Sequence, residues 1–248
     1  MKDLKPALIE ANNIDDAYFQ LISHCYDYGY EFKITEGSNK GGKRVEIPFA
    51  AGFIRYPHTR PLAPIMPAGI PPTTTDEKIE EYFANYLMDP NLSPNEEYRY
   101  STWINGEYFN PSVPLHKDSK YNESQLGWCI RHFKEKGFGN NHCFITIGDP
   151  TINFNYDFPY KNETDRRTSP CLRGIDIKIK DNKVLLGIIY RSWDLYAGFP
   201  ENMGGFALLN QYIAEELSID PGPLSFASQG LHCYDYQLGA VMHYLNKE

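Results

Sequence analysis

The chain has 248 residues, of which 42% are hydrophobic and 23% charged, and its formal net charge is −8. That length suits one large domain whose core needs no disulfide or metal staple. An aromatic share of 15%, with 19 tyrosines, excludes a disordered chain, and the negative charge excludes a general nucleic-acid coat. The five cysteines stand at 25, 129, 143, 171 and 233, an odd number with no CxxC pair. Such usage fits a reducing, cytoplasmic compartment in which most thiols are buried packing residues. The longest strongly apolar stretch, around Val184 to Tyr190, is too short to cross a membrane, and the acidic N-terminus has no signal-peptide core.

Residues 13–28 predict a helix, capped by Asn13 and Asp15, with Ala17, Tyr18, Leu21, Ile22 and Cys25 as its apolar stripe and Gly29 as its end. Glu31 to Thr35 reads as a strand. A loop with Gly37, Lys40, Gly41, Gly42, Lys43 and Arg44 follows, and Val45 to Tyr56 then alternates around Pro48. Six prolines between Pro57 and Pro72 require an extended loop, read here as lying within one domain. Thr75 and Asp76 cap a helix through Leu87, stopped by Pro90. Ser124 to Lys136 is a further helix ending at Gly137, and Cys143 to Ile147 a short strand. Asp149-Pro150 then opens a long polar loop.

The last third has the clearest pattern. Ile175, Ile177 and Ile179 alternate with Asp176, Lys178 and Lys180, Asp181-Asn182 makes the turn, and Val184 to Trp193 reads as one long strand. Asn202 to Leu217 predicts a helix, Pro221-Gly222 a turn, Leu224 to Ala227 a strand and Asp235 to Leu245 a final helix. Strands and helices mix without a βαβ period, so the class is α+β: a single domain with a mixed, mainly antiparallel sheet and packed helices.

Two motifs fail a physical test. Gly37 to Arg44 approaches a phosphate-binding loop, yet no hydroxyl residue follows the lysine, and a strand-like segment with Pro48 follows where a helix must open. His142 and Cys143 are adjacent, and adjacent strand residues face opposite ways, so no metal site is expected.

Three others carry chemistry. In Ser169-Pro170-Cys171-Leu172-Arg173, a thiol follows a rigid proline with Arg166, Arg167 and Arg173 nearby, and cations favour the nucleophilic thiolate. Taken alone, such a cysteine is more often inert packing. Arg191-Ser192-Trp193-Asp194 ends the long strand, where a ligand contact competes with a surface ion pair. Phe199-Pro200-Glu201-Asn202-Met203-Gly204-Gly205 opens a helix, with Asn202 either its N-cap or an amide facing a polar ring.

The order of these motifs resembles the thymidylate synthase family, including its short archaeal-type members and the pyrimidine nucleotide hydroxymethylases. Pro170-Cys171, Arg191-Ser192-Trp193-Asp194, Gly198-Phe199-Pro200-Glu201-Asn202, Pro221-Gly222 and His232-Cys233-Tyr234 follow in the family's order and spacing. The N-terminal half resembles it in outline only. The resemblance implies a thymidylate-synthase-like fold and a homodimer. It also implies one-carbon transfer from 5,10-methylene-tetrahydrofolate, or a related tetrahydropterin, to C5 of a pyrimidine nucleotide monophosphate such as dUMP. Cys171 would add to C6, Arg191 and Ser192 would bind the 5′-phosphate, Asn202 would pair with the O4/N3 edge, and His232 and Tyr234 would hold the ribose. Asp194 would face the pterin, and an acid/base glutamate is expected on the earlier helix, at Glu81 or its neighbour Glu80. No metal, nucleic acid or membrane enters this reading.

The departures concern the phosphate and the folate. The family's Arg-Arg pair, which reaches the partner subunit's phosphate, is replaced by Asn141-His142, and Arg166-Arg167 or Lys43 and Arg44 are the substitutes at hand. The common form of the family continues well past His-x-Tyr into a tail that closes over folate, whereas 14 residues follow Tyr234. Two alternatives to thymidylate formation therefore stand: 5-hydroxymethylation of dUMP, dCMP or CMP by the same cysteine chemistry, and a nucleotide-binding protein without turnover.

Overall fold

The structure is a computed structural model and describes residues 4–36, 39–93, 96, 98–106, 123–156 and 169–247. Gly37, Arg166 and Arg167 lie outside these residues. The elements run β1 (Ala7–Ala11), α1 (Ile14–Tyr28), β2 (Tyr30–Lys33), β3 (Lys43–Ile47), β4 (Ala50–Ile54), α2 (Asp76–Tyr82), α3 (Ser101–Ile104), α4 (Gln125–Lys136), β5 (Phe144–Thr146), β6 (Leu172–Lys180), β7 (Lys183–Tyr190), β8 (Trp193–Asp194), α5 (Gly198–Leu217), β9 (Asp220–Ser228), β10 (Leu231–Tyr234) and α6 (Leu238–Tyr244). The class is α+β, as the sequence predicts.

Two mixed sheets form the frame. The larger has the order β1-β4-β9-β7-β6-β5 and the smaller the order β2-β3-β10-β8. The pairs β1–β4, β7–β9 and β8–β10 are parallel and the other five antiparallel. One face of the larger sheet buries Ile175, Ile177, Leu186, Ile188, Leu224 and Phe226 against α5 and its neighbours. Burial of this apolar area is the main stabilising term, at roughly 25 cal/mol per Å². The opposite face carries Leu8, Ile189 and Phe144, all exposed.

Helix α5 is the centre of the core. Its Gly204 and Gly205 admit α2 at close range: a Cβ on Gly204 would lie 2.7 Å from Ile79 Cδ1, and one on Gly205 2.5 Å from Tyr82 Cδ1. The buried Asn210 keeps the same helix on the sheet, donating to the Val184 carbonyl and accepting from Gly222 N, each at 2.9 Å. Both polar atoms of a buried amide are thereby satisfied.

Helices α1 and α4 start at their expected caps, Asn13 and Ser124, whose side chains accept from Asp16 N and Gly127 N. Four boundaries differ from expectation. The helix after Thr75 is α-helical only to Tyr82 and continues as a wider π turn over Phe83–Met88. The long strand stops at Tyr190, and Trp193–Asp194 joins the smaller sheet instead. Helix α5 begins at Gly198, not Asn202, because Pro200 falls in the first turn, where its missing N–H costs nothing. Asn202 is therefore inside the helix and is not its N-cap. Pro221-Gly222 lies within β9, where the hydrogen bond from Gly222 N to Asn210 holds it extended.

Candidate active site

The hairpin of β6 and β7 places Cys171 and Arg191 side by side. Cys171 sits one residue before β6 and accepts, through its carbonyl, a 3.0 Å bond from Arg191 N just past the end of β7. The Arg191 guanidinium folds back over the same loop. Its Nε donates to the Pro170 carbonyl at 3.1 Å, and its Nη2 donates to the Ser169 carbonyl at 2.6 Å and the Tyr156 hydroxyl at 2.9 Å. Two of these charge-assisted bonds fix the segment that leads into the thiol, and the third ties it to Tyr156. Nη1 has no partner among the described residues, and the side chain is exposed. Cys171 itself is half-buried and free, whereas Cys25, Cys129, Cys143 and Cys233 are buried. Burial pushes the thiols of Cys129 and Cys143 up, and Cys233 rises first through its hydrogen bond with Cys25 and then through burial.

A second guanidinium stands beside the first. Arg173 Nη2 donates to Ser169 Oγ at 2.9 Å and to Asn153 Oδ1 at 3.0 Å. Burial and then the charge of Arg191 push Arg173 below its ordinary value. Two cations held this close leave a position where an anion is favoured.

Tyrosines form the facing wall. Tyr82 stacks on Tyr86, which meets Tyr98 and Tyr100 edge-on, and Tyr100 in turn meets Tyr190. Burial pushes the phenols of Tyr86, Tyr98, Tyr100 and Tyr190 upward, and each also rises with charge on the Cys171 sulfur. All therefore stay neutral and act as hydroxyls around the thiol. The sequence gives no sign of this wall, since Tyr98 and Tyr100 lie outside any helix or strand with a readable period.

The smaller sheet brings in the remaining residues. His232 and Tyr234 meet edge to face at 4.8 Å. His232 Nδ1 donates to the Gly230 carbonyl at 2.9 Å, leaving Nε2 as a bare acceptor, buried and without a partner among the described residues. Burial first, and the positive charge of Arg44 against it, push this imidazole down, so it is neutral. Asp194 Oδ1 accepts from Tyr196 N and Ala197 N at 3.0 and 3.1 Å, and Gln237 Nε2 approaches both carboxylate oxygens. Gln237 also accepts from Tyr234 N at 2.8 Å, tying the chain after β10 to the site. Ser192 is half-buried between Arg191 and Trp193. Asn202 projects from α5, and its Oδ1 accepts from Trp193 Nε1 at 2.8 Å and from the Tyr190 hydroxyl at 3.2 Å.

The structure does not bring every expected residue here. Glu81 is exposed on α2 and has no hydrogen-bond or ion-pair partner among the described residues, and Glu80 lies 3.6 Å from Arg60. Two other carboxylates act on the tyrosine wall: burial first, then Tyr86 and Glu201, raise Tyr82, and Glu96 is among the charges that raise Tyr86; Glu201 also accepts from Thr74 Oγ1 at 3.0 Å. Lys43 pairs with Glu31, while Arg44 pairs with the buried Glu46 and covers the Phe32 ring, so both cations are already engaged. The His142 side chain bonds His132, and its backbone bonds Asn140 and Phe144. Among the described residues, no group of three or more His, Cys, Asp or Glu could hold a metal, and no helix is long and apolar enough to cross a membrane.

Residues 157–248 match the family model for thymidylate synthase. A protein of Methanosarcina barkeri named "Putative thymidylate synthase" is 34% identical over 236 residues, which cover 94% of this chain and 92% of that relative. The chain belongs to the thymidylate synthase family. Relatives of the same name from Methanosarcina mazei and Methanosarcina acetivorans are 26% and 25% identical over the same shares of each chain. Membership supports a transferase role in nucleotide biosynthesis, and the family implies a folate co-substrate. Within that family, Cys171 is the thiol that stands half-exposed between a fixed guanidinium and a wall of neutral hydroxyls.

Proposed function

We propose that the protein transfers a one-carbon unit from 5,10-methylene-tetrahydrofolate to C5 of dUMP through a covalent bond between Cys171 and C6, yielding dTMP. The observation that carries this reading is the joint placement of Cys171 and Arg191 on one hairpin, with the segment just before Cys171 held by guanidinium bonds to the Ser169 and Pro170 carbonyls and a third bond to the Tyr156 hydroxyl. Addition of the Cys171 sulfur to C6 makes C5 nucleophilic; C5 bonds to the one-carbon unit, the C5 proton departs as that unit's bond to the folate nitrogen breaks, and hydride from the tetrahydrofolate, which ends as dihydrofolate, reduces the unit to methyl as the C5=C6 double bond re-forms and the sulfur is expelled. Arg191 Nη1, Ser192 and Arg173 bind the 5′-phosphate, which places the ring over the thiol. His232 Nε2 accepts from a ribose hydroxyl, and Tyr234 packs beside it. Asn202 donates to the ring edge.

The folate supplies the one-carbon unit when bound. Residues on the far side suit its flat, amide-bearing ring. Asp194 Oδ2 keeps free acceptor capacity, and Tyr236, exposed and stacked on Tyr234, offers an aromatic face next to it. Glu81 and Glu201 are the two carboxylates to test as the acid/base group. Glu81 holds the expected place on the helix, and Glu201 holds the contact with Tyr82.

The exposed sheet face supports a homodimer. Leu8, Ala51, Ala227 and Ile189 align in one row across β1, β4, β9 and β7, and no element of the chain's described residues covers it. A sheet normally buries two faces when both are apolar, so a second copy is the proposed cover. Sedimentation of a monomer at micromolar concentration would contradict this.

The test of the reaction is release of tritium from C5-labelled dUMP in the presence of the folate, with mass analysis of the product. A methyl product supports the proposal. A hydroxymethyl product would replace it with the hydroxymethylase reading, and no release from any pyrimidine nucleotide would leave only a binding protein.

A further inference from the structure

The smaller sheet carries a row of polar side chains that the proposed reaction uses only in part. The register sets Tyr30 opposite Glu46, Glu46 opposite His232 and His232 opposite Asp194, across all four strands. Residues directly opposite on neighbouring strands share a face, with Cβ atoms about 4.5–5.5 Å apart. Arg44 stands two residues before Glu46 on the same face, between Phe32 on one side and Tyr234 on the other. The imidazole of His232 therefore lies between two carboxylates, with a guanidinium on the diagonal.

Glu46 and His232 are buried, at 6% and 3% exposed. Glu46 is held from two sides. Tyr30 donates its hydroxyl to Oε1 at 2.5 Å, and Arg44 Nε lies 2.7 Å from Oε2. Burial and then this bond push the Tyr30 phenol up to about 12, so it stays a donor. The Arg44 guanidinium lies over the Phe32 ring, 4.6 Å from its centre. Two carboxylates beside a histidine ordinarily draw a proton onto it. Here burial, first, and the charge of Arg44 oppose the pull of Asp194 and Glu46. Tyr234, edge-on to the ring, is raised by burial and stays neutral.

We infer that Arg44 and Glu46 are positioning residues of the proposed nucleotide site: the guanidinium, docked on the buried carboxylate, offsets the negative charge on either side of His232 and keeps Nε2 a lone-pair acceptor for a sugar hydroxyl. This rests on the proposed nucleotide reading, which gives His232 its ligand, and extends it to two residues behind the site. Without the guanidinium, Glu46 becomes a buried carboxylate with no cation beside it, a costly arrangement. Protonation of His232, directly opposite, supplies the missing charge. An imidazolium only donates, so the acceptor at Nε2 is then lost.

The test follows the ring signals of His232 by NMR in the full-length protein, assigned with His232→Gln, and measures KM for dUMP from about pH 6 to 8.5 beside it. In wild type His232 should titrate below the free value of about 6.5. In Arg44→Gln the midpoint should rise above that value. KM relative to wild type should then grow from near unity at the alkaline end to about tenfold at the acid end, the scale of one net hydrogen bond, with kcat little changed. Arg44→Lys keeps the charge and should restore the wild-type titration. Arg44→Gln combined with Glu46→Gln removes both charges and should bring the midpoint back toward wild type. Glu46→Gln alone should lower the midpoint further, and it decides the matter if Arg44→Gln does not fold. A merely structural pair would raise KM equally at every pH and leave the midpoint in place, and that result would overturn the inference while leaving the proposed reaction intact. A midpoint that stays or rises in Glu46→Gln would overturn it as well. Midpoints that move as stated in a protein that binds no pyrimidine nucleotide would overturn the acceptor role and the nucleotide reading together.

Discussion

The two walls of the site are built in opposite ways. The wall of Cys171, Arg191 and Asn202 comes from one hairpin and the first turns of the following helix, all within 32 residues of chain. The wall of Tyr82, Tyr86, Tyr98 and Tyr100 comes from the end of α2, the π turn after it and a loop, and α2 packs closely on Gly204 and Gly205. The first wall holds groups in place with charge-assisted bonds to backbone carbonyls. The second holds them by packing. Chemistry that needs a fixed charge sits on the hydrogen-bonded wall, and chemistry that needs neutral hydroxyls in a dry setting sits on the packed one.

Breaking the first wall should cost most. Arg191→Ala removes the clamp on the thiol loop together with the proposed phosphate contact, and kcat/KM should fall by about a hundred- to a thousandfold. Arg191→Lys should recover little of this, since an ammonium cannot reproduce three directed bonds. A lysine variant close to wild type in steady-state assays would show that only charge matters. Asn202→Asp is gentler. The carboxylate keeps one oxygen on Trp193 and turns an acceptor to the ring, so the preference between dUMP and dCMP should move toward dCMP by about ten- to a hundredfold. Unchanged relative kcat/KM values for the two nucleotides would refute the assigned role.

The packed wall should respond through stability first. Gly205→Ala sets a methyl against the Tyr82 ring and should destabilise by about 1–3 kcal/mol, as overpacking does. Activity should drop with it, because Tyr82 carries the rest of the tyrosine cluster. A melting temperature unchanged from wild type would mean that α2 does not dock where the glycines admit it.

The smallest expected effect concerns pH. Burial holds the His232 imidazole below its free value of about 6.5, and His58 is pushed down for the same first reason. The unfolded chain therefore takes up these protons before the folded one. Their stabilising contribution is complete above that value and is lost as pH falls toward the folded-state pKa. Melting temperature should decline between about pH 7 and 5, and His232→Gln should flatten part of the decline. An equal slope in the variant would contradict a buried neutral His232.

The same contrast explains what the sequence made legible. Helix α1 is readable because Asn13 caps it and its stripe repeats, and the β6–β7 turn because Asp181 and Asn182 tolerate the left-handed backbone they adopt, with φ of 50° and 57°. The functional motifs near Cys171 are readable because they depend on local spacing. Strand β1 is not: its parallel partner β4 lies about forty residues on, and Leu8 and Glu10 both point to the open face. Nor is the break after Tyr190, where a continuous apolar pattern hides a switch between sheets. The tyrosine wall and the polar row across the smaller sheet depend on contacts between distant segments, and single residues such as Glu46 acquire a role only once the strands are paired.

The central claim is a covalent bond between Cys171 and C6, and a trapped adduct tests it most directly. A fluorine at C5 of dUMP cannot depart as a proton does, so the reaction should stop with the nucleotide still attached. Mass spectrometry of the protein incubated with 5-fluoro-dUMP and methylene-tetrahydrofolate should show one adduct per chain, on the peptide that carries Cys171, and none in Cys171→Ala. An adduct on another cysteine, or turnover of dUMP that survives in Cys171→Ala, would contradict the account.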